Sequence, residues 1–232
     1  MKFSVIVPTY NASRTIRRTL ESLCAQSYTD FEVVIVDDCS DDFLLMKSIA
    51  YEYLDRLNIR VLRCDVHTNG AHTRNVGIDD AQGEFVAFLD SDDEWRPNRL
   101  ESAMAVILER VGVDFFSYSR YVVVFEGGRS SIALPVRGIR LREQVGDYVF
   151  AAGCGMQTST FFCSTQVARR IRFDERWSRH QDTDFVLRME AAGIPIIFDE
   201  SLSAQYHFGA SDLRKRIHEG RISVSFCEDW IR

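Results

Sequence analysis

Three carboxylates fall within four residues at Asp90, Asp92 and Asp93, directly after the apolar run Phe85-Val86-Ala87-Phe88-Leu89. An apolar run of five, opened by Gly83 and closed by acids, predicts a core strand that delivers those acids to its carboxyl end. Ligands of open α/β sheets bind at that end. Carboxylates crowded in this way repel one another unless a cation or a proton intervenes, and hard oxygen donors suit Mg²⁺ or Mn²⁺. The competing reading is a solvated acidic turn opening the next helix, because Asp and Ser favour helix N-termini.

Two further strand-to-polar junctions lie upstream. Phe31-Glu32-Val33-Val34-Ile35-Val36 ends in Asp37-Asp38-Cys39-Ser40-Asp41-Asp42, and Phe3-Ser4-Val5-Ile6-Val7 ends in Pro8-Thr9-Tyr10-Asn11. Three such strands separated by helical patterns predict one binding face of loops along one edge of a parallel sheet. With Arg74-Asn75-Val76-Gly77 between the second and third junctions, the ordered set resembles the landmarks of family 2 glycosyltransferases of the GT-A fold over about the first hundred residues.

The resemblance implies a nucleotide-sugar donor site. It places a divalent cation, Mn²⁺ or Mg²⁺, on Asp90 and Asp92, with the donor ribose also on Asp90 and Ser91, and a late His207 completing the metal site. It places Asp37 and Asp38 beside the nucleobase, most naturally that of a UDP-sugar, with Pro8, Thr9, Tyr10 and Asn11 on the same face and Arg74 bracing it. The family pattern has Gly after the Asp pair where this chain has Cys39. Further on, His180-Gln181-Asp182 precedes an amphipathic helical pattern. The family's Glu-Asp at this point is matched by Gln181-Asp182, which makes Asp182 the expected catalytic base and puts His180 and Gln181 near the substrate; helix capping is compatible with either role. Trp95, next to the acid cluster, offers either a sugar-stacking surface or a core side chain. His67 and His72 fall in a loop-like stretch without metal-ligand spacing, and Arg214-Lys215-Arg216 reads as a diphosphate or anionic-lipid contact or a solvated helix face.

The elements that must position these residues follow from periodicity. Ile16, Leu20, Leu23 and Cys24 make one helical stripe, and Met46, Ile49, Ala50, Tyr53, Leu54 and Leu57 make a second. A strand at 59–62, a helix at 70–81 and a helix after Pro97 complete a run of β-α repeats. Beyond it the pattern changes: a strand within 114–125, a return strand at 130–134, a helix at 142–152, a strand at 158–163, a helix at 182–192 and a strand at 194–198. The expected fold class is α/β, a Rossmann-like, mostly parallel sheet flanked by helices. Residues 1–97 are expected to form the nucleotide-sugar lobe and 98–232 a mixed lobe for acceptor and base, the two sharing one sheet.

A chain of 232 residues with 46% hydrophobic and 27% charged residues suits a soluble globular fold. The net charge of −6 argues against a general nucleic-acid binder. Six cysteines without a C-x-x-C pair read as reduced thiols. No signal-peptide pattern follows Met1, and no apolar run reaches the roughly 18 residues of a membrane span. These features predict a cytoplasmic protein, with peripheral association at the inner membrane face allowed. The expected activity is inverting sugar transfer to a hydroxyl of a saccharide or lipid-linked saccharide. Two rivals remain: a sugar-phosphate nucleotidyltransferase, which would need a Gly-rich loop after the first strand, and a non-catalytic binding module of the same fold.

Overall fold

Seven consecutive buried residues in β1 (Phe3–Thr9) and seven in β2 (Phe31–Asp37) form the centre of the sheet. Strands covered on both faces read as continuous apolar runs. The computed structural model describes residues 2–125 and 128–208, so the expectations for Arg214-Lys215-Arg216 fall outside the described residues. The remaining strands are β3 (Ile59–Arg63), β4 (Phe85–Phe88), β5 (Glu94–Trp95), β6 (Phe116–Phe125), β7 (Phe162–Ser164) and β8 (Ile196–Phe208). The helices are α1 (Ile16–Cys24), α2 (Phe43–Tyr51), α3 (Gly70–Asp80), α4 (Arg99–Leu108), α5 (Thr165–Ile171) and α6 (Gln181–Ala191).

All eight strands make one sheet in the order β3-β2-β1-β4-β7-β6-β8-β5. The first four neighbours run parallel, β7 is antiparallel to both β4 and β6, β8 is parallel to β6, and β5 is antiparallel to β8. Strands from residues 1–97 and from 98–232 therefore lie in one continuous sheet, and β5 pairs with β8 across the position expected as a boundary. Side chains alternate across the pleat. Phe3, Val5 and Val7 of β1 face the core under α1, α2 and α4, whereas Ile6 faces the core under α3, α5 and α6.

Several expected elements take a different form. Residues 130–134 contribute two isolated antiparallel bridges to β6, Tyr121 to Leu134 and Val124 to Ser130, rather than a full strand. The helix expected at 142–152 is a single π-helical turn at Asp147–Ala151, and the strand expected at 158–163 opens as a 3₁₀ turn at Thr158–Thr160. The short α5, capped by Ser164 Oγ accepting from Val167 N at 3.1 Å, was not anticipated. The last strand is far longer than residues 194–198 and takes in His207, which stands on β8 rather than after a strand.

Candidate active site

The loops after β1 and β2 are tied together. Asn11 N donates to Ser40 Oγ at 2.9 Å, and Asp41 N donates to Asn11 Oδ1 at 3.1 Å. Asn11 and Cys39 both adopt left-handed backbone, with φ of 51° and 57°. Position 39, where the family pattern has glycine, takes a positive φ here with a cysteine. Asp37 is fully buried, and its carboxylate accepts from Ser40 N at 2.9 Å, Ser40 Oγ at 2.6 Å and Thr9 Oγ1 at 3.3 Å. It shapes the turn. Asp38 reaches the cleft, where its carboxylate accepts from Thr68 N at 2.9 Å and lies 2.8 Å from His67 Nδ1. His67 in turn stacks on the half-exposed ring of Tyr10, centroids 4.2 Å apart.

The acid loop after β4 rests on a buried aspartate. Asp93 is fully buried; its carboxylate accepts from Ser159 Oγ at 2.6 Å, Gln157 Nε2 at 2.7 Å and His207 N at 3.2 Å. Burial, and then the charges of Asp90 and Asp92, push the Asp93 carboxyl well above the usual range. α1 supports the loop from below: Thr19 Oγ1 donates to Asp93 O at 2.8 Å, and Arg18 donates to Asp92 O. Asp90, Ser91 and Asp92 are left facing a cleft of about 280 Å³, whose other walls come from Pro8, Thr9 and Tyr10, from Asp38, and from Gly70, Thr73 and Arg74 of α3.

Arg74 is the hinge between this cleft and α6. It is 7% exposed, and its two terminal nitrogens donate to Asp90 Oδ1 at 2.5 Å and to Gln181 Oε1 at 2.8 Å. Gln181 also donates through Nε2 to Trp177 O at 2.8 Å. Asp182 follows in the first turn of α6, where a helix N-terminus favours a carboxylate. Its carboxyl is raised by burial and pulled back by the Thr183 N–H at 2.8 Å and by the charges of Arg74 and His180; Asp90 pushes it up again. His180 itself takes left-handed backbone, φ 55°, at the turn into the helix.

One face therefore gathers Pro8, Thr9, Tyr10, Asp38, Arg74, Asp90, Ser91 and Asp92, with Gln181 joined through Arg74 and Asp182 within reach of the same charges. Neither Asn11 nor Asp37 lines the cleft: Asn11 is exposed and ties the two loops together, and Asp37 is buried in the turn. Trp95 does not belong to the site: it is 2% exposed in the core, and its Nε1 donates to Ser159 O at 2.7 Å, so no sugar stacks on it. His207, expected to complete a metal site, has Nε2 2.6 Å from Glu94 Oε1 and is not among the residues lining the cleft. His67 and His72, passed over in the sequence, both have partners, His72 Nδ1 lying 2.9 Å from Glu175 Oε2. Asn69, Thr73 and Asn75 were also missed, although Asn69 just before the α3 pattern is a recognisable N-cap, accepting from Ala71 N and His72 N.

Among the described residues no three His, Cys, Asp or Glu side chains converge as a complete metal cage. Asp90 and Asp92 nonetheless fit a Mg²⁺ or Mn²⁺ ion carried by a diphosphate. Such ions commonly take one or two protein carboxylates and complete their shell with phosphate oxygens and water, and Asp90 and Asp92 both line the cleft where a diphosphate would lie.

The profile of glycosyl transferase family 2 matches residues 4–177. The amylovoran biosynthesis glycosyltransferase AmsB of Erwinia amylovora is 36% identical over 238 residues, an alignment covering 100% of this chain and 77% of that protein. The crystal structure of residues 1–349 of Staphylococcus aureus TarS, a poly(ribitol-phosphate) beta-N-acetylglucosaminyltransferase, superposes with a TM-score of 0.70 at 28% identity, covering 89% of this chain and 60% of that one. The same TarS fragment has been solved with UDP-GlcNAc, and that complex superposes with a TM-score of 0.67 at 27% identity, covering 90% and 59%. The chain thus spans less than two thirds of the TarS structures. These neighbours carry the α/β GT-A fold expected from the residues.

Proposed function

The chain belongs to glycosyl transferase family 2, and from that premise we propose that it moves a sugar from a UDP-sugar to a hydroxyl of a saccharide or lipid-linked saccharide, inverting the anomeric carbon. The observation that carries this reading is the single face on which Tyr10, Asp38, Asp90 and Asp92 meet at the carboxyl ends of β1, β2 and β4, with the first turn of α6, which carries Asp182, joined to it through Arg74 and Gln181. Tyr10 supplies an aromatic surface for the base, and Asp38 an acceptor for its N–H edge. Asp90 and Asp92 would hold the divalent cation, which as a Lewis acid offsets the charge on the departing diphosphate.

Asp182 is the proposed general base. A carboxyl pushed up by burial is a stronger proton acceptor than a free aspartate, which suits proton removal from an acceptor hydroxyl. One base and one in-line displacement invert the configuration. A UDP-sugar is favoured because the TarS fragment, at 27% identity, is known with UDP and with UDP-GlcNAc. Polysaccharide synthesis is favoured because the AmsB relative is named for amylovoran biosynthesis. No helix among the described residues is long and apolar enough to cross a membrane; a lipid-linked acceptor would be met at the membrane surface by peripheral contact.

Calorimetric titration with UDP tests the donor site. UDP is expected to bind much more tightly with Mn²⁺ than with a chelator, and Asp92→Asn should remove most of that difference while leaving the fold intact, because Asp92 is an exposed loop residue. Equal affinity in both conditions would overturn the cation assignment.

A further inference from the structure

Two consecutive residues of α3, Arg74 and Asn75, are 7% and 2% exposed, and their polar ends leave the helix for two different segments. Arg74 spans Asp90 and Gln181, and its guanidinium lies over the Phe173 ring, 5.4 Å from the centroid. Asn75 clamps the chain just before α6: Nδ2 donates to Phe173 O at 2.9 Å and to Glu175 Oε1 at 2.8 Å, and Oδ1 accepts from Phe173 N at 3.0 Å. The Phe173 ring then stacks on Phe185 of α6, with centroids 4.1 Å apart and planes 6° from parallel. Phe185 lies three residues beyond Asp182.

We infer that Arg74 and Asn75 are positioning residues, a two-point bracket by which α3 sets the first turn of α6, and with it Asp182, against the Asp90 loop. This rests on the proposed reading of Asp182 as the base. The need for an outside bracket is visible in α6 itself, whose N-cap His180 makes no side-chain cap and whose lead-in turns through positive φ at Arg172 and His180. Space for the bracket is reserved at Gly70, where a Cβ would come within 2.9 Å of Arg74 Nη1 and 3.1 Å of Gln181 Oε1. Arginine suits the place because its planar fork donates in two fixed directions, which a lysine cannot reproduce. Besides geometry, Arg74 contributes charge: with His180 it holds the Asp182 carboxyl down against Asp90, so its removal should raise that carboxyl.

The test compares Gln181→Ala, Arg74→Ala and Arg74→Lys with wild type and Asp182→Asn. Turnover is followed as UDP release, across pH, from whichever of UDP-glucose, UDP-galactose, UDP-GlcNAc and UDP-GalNAc the wild type consumes fastest. Mn²⁺-UDP affinity and melting temperature are measured alongside. Gln181 is partly exposed, so Gln181→Ala should fold normally, keep UDP affinity within about threefold and lose roughly 10- to 100-fold in kcat, the scale of a small misplacement of a reacting group. Arg74→Ala should move the acidic limb of the rate profile to higher pH. Arg74→Lys should restore the position of that limb without restoring kcat. A Gln181→Ala enzyme with wild-type kcat, an unmoved limb in Arg74→Ala, or a kcat loss matched by an equal loss of UDP affinity would overturn the bracket. Normal turnover by Asp182→Asn, or no turnover of any of the four sugars by wild type, would instead overturn the underlying reading and the bracket with it.

Discussion

Asp37 and Asp38 are adjacent in sequence and serve different ends. The Asp37 carboxylate is consumed by Ser40 and Thr9 inside the turn, so Asp37→Ala leaves buried donors unmet and should destabilise the fold by about 1–3 kcal/mol in chemical denaturation. Asp38→Ala should act mainly on ligand: UDP affinity falls by about tenfold, the value of one charge-assisted hydrogen bond, and pyrophosphate affinity falls much less. Equal losses for both ligands would make Asp38 part of the scaffold too. At Asp182 the expected outcome of Asp182→Asn is a loss of roughly 10²-fold or more in turnover with UDP affinity retained. The sign of its pH dependence follows from burial. The folded carboxyl is raised above 3.8, the proposed base acts in its ionised form, and activity should then fall as pH drops through a midpoint above that value. Types and spacing made the acid pairs legible in the sequence. The buried duty of Asp37 and the commitment of His67 to Asp38 depend on loops that meet only after folding, and no spacing rule reports them. Trp95 shows the same limit: its neighbours in sequence are acids, but its neighbours in space are Ser159 and the core.

Most helices and strands of the first hundred residues follow their periodicity, because each has one wet face or two buried ones; the second helix stops at Tyr51, short of the expected Tyr53, Leu54 and Leu57, and Leu54 is half exposed. Later elements do not, because β6, β7 and β8 trade partners in a mixed sheet and short segments such as α5 carry too few residues for a period to emerge. Two glycines show how tightly the early elements fit. A Cβ on Gly77 of α3 would meet Ile6 Cγ2 at 2.5 Å, and one on Gly83 would meet the backbone of Phe3 and Ser4 at 2.6 Å. Gly77→Ala should therefore cost about 1–3 kcal/mol as overpacking against a side chain. Gly83→Ala should cost more, because backbone cannot rotate away. Comparing the two by urea denaturation checks the order, and a cheaper Gly83→Ala would show that β1 yields more easily than the sheet register implies.

On the scale of the whole molecule, the chain leaves β1 for β2 and β3 on one side and returns to β4 on the other, so the sheet's switch point lies between β1 and β4. The cleft sits there, at the carboxyl ends of the strands, as open α/β sheets generally arrange it. The antiparallel β7 and the mixed strands beyond it make the second half of the sheet, and the first turn of α6 carries Asp182 within range of Arg74 and Asp90 at the cleft wall. The parallel half was legible because β-α repeats dictate it; the mixed half was not, since antiparallel neighbours can be assembled in several orders from the same strands. The central claim is inverting transfer from a nucleotide sugar, and proton NMR of the first sugar released tests it most directly. Incubated with Mn²⁺ and an α-linked UDP-sugar, with water or an added saccharide as acceptor, the wild-type chain should yield the β-anomer before mutarotation, and Asp182→Asn should yield almost none. Release of the α-anomer, or an undiminished rate in Asp182→Asn, would contradict the account.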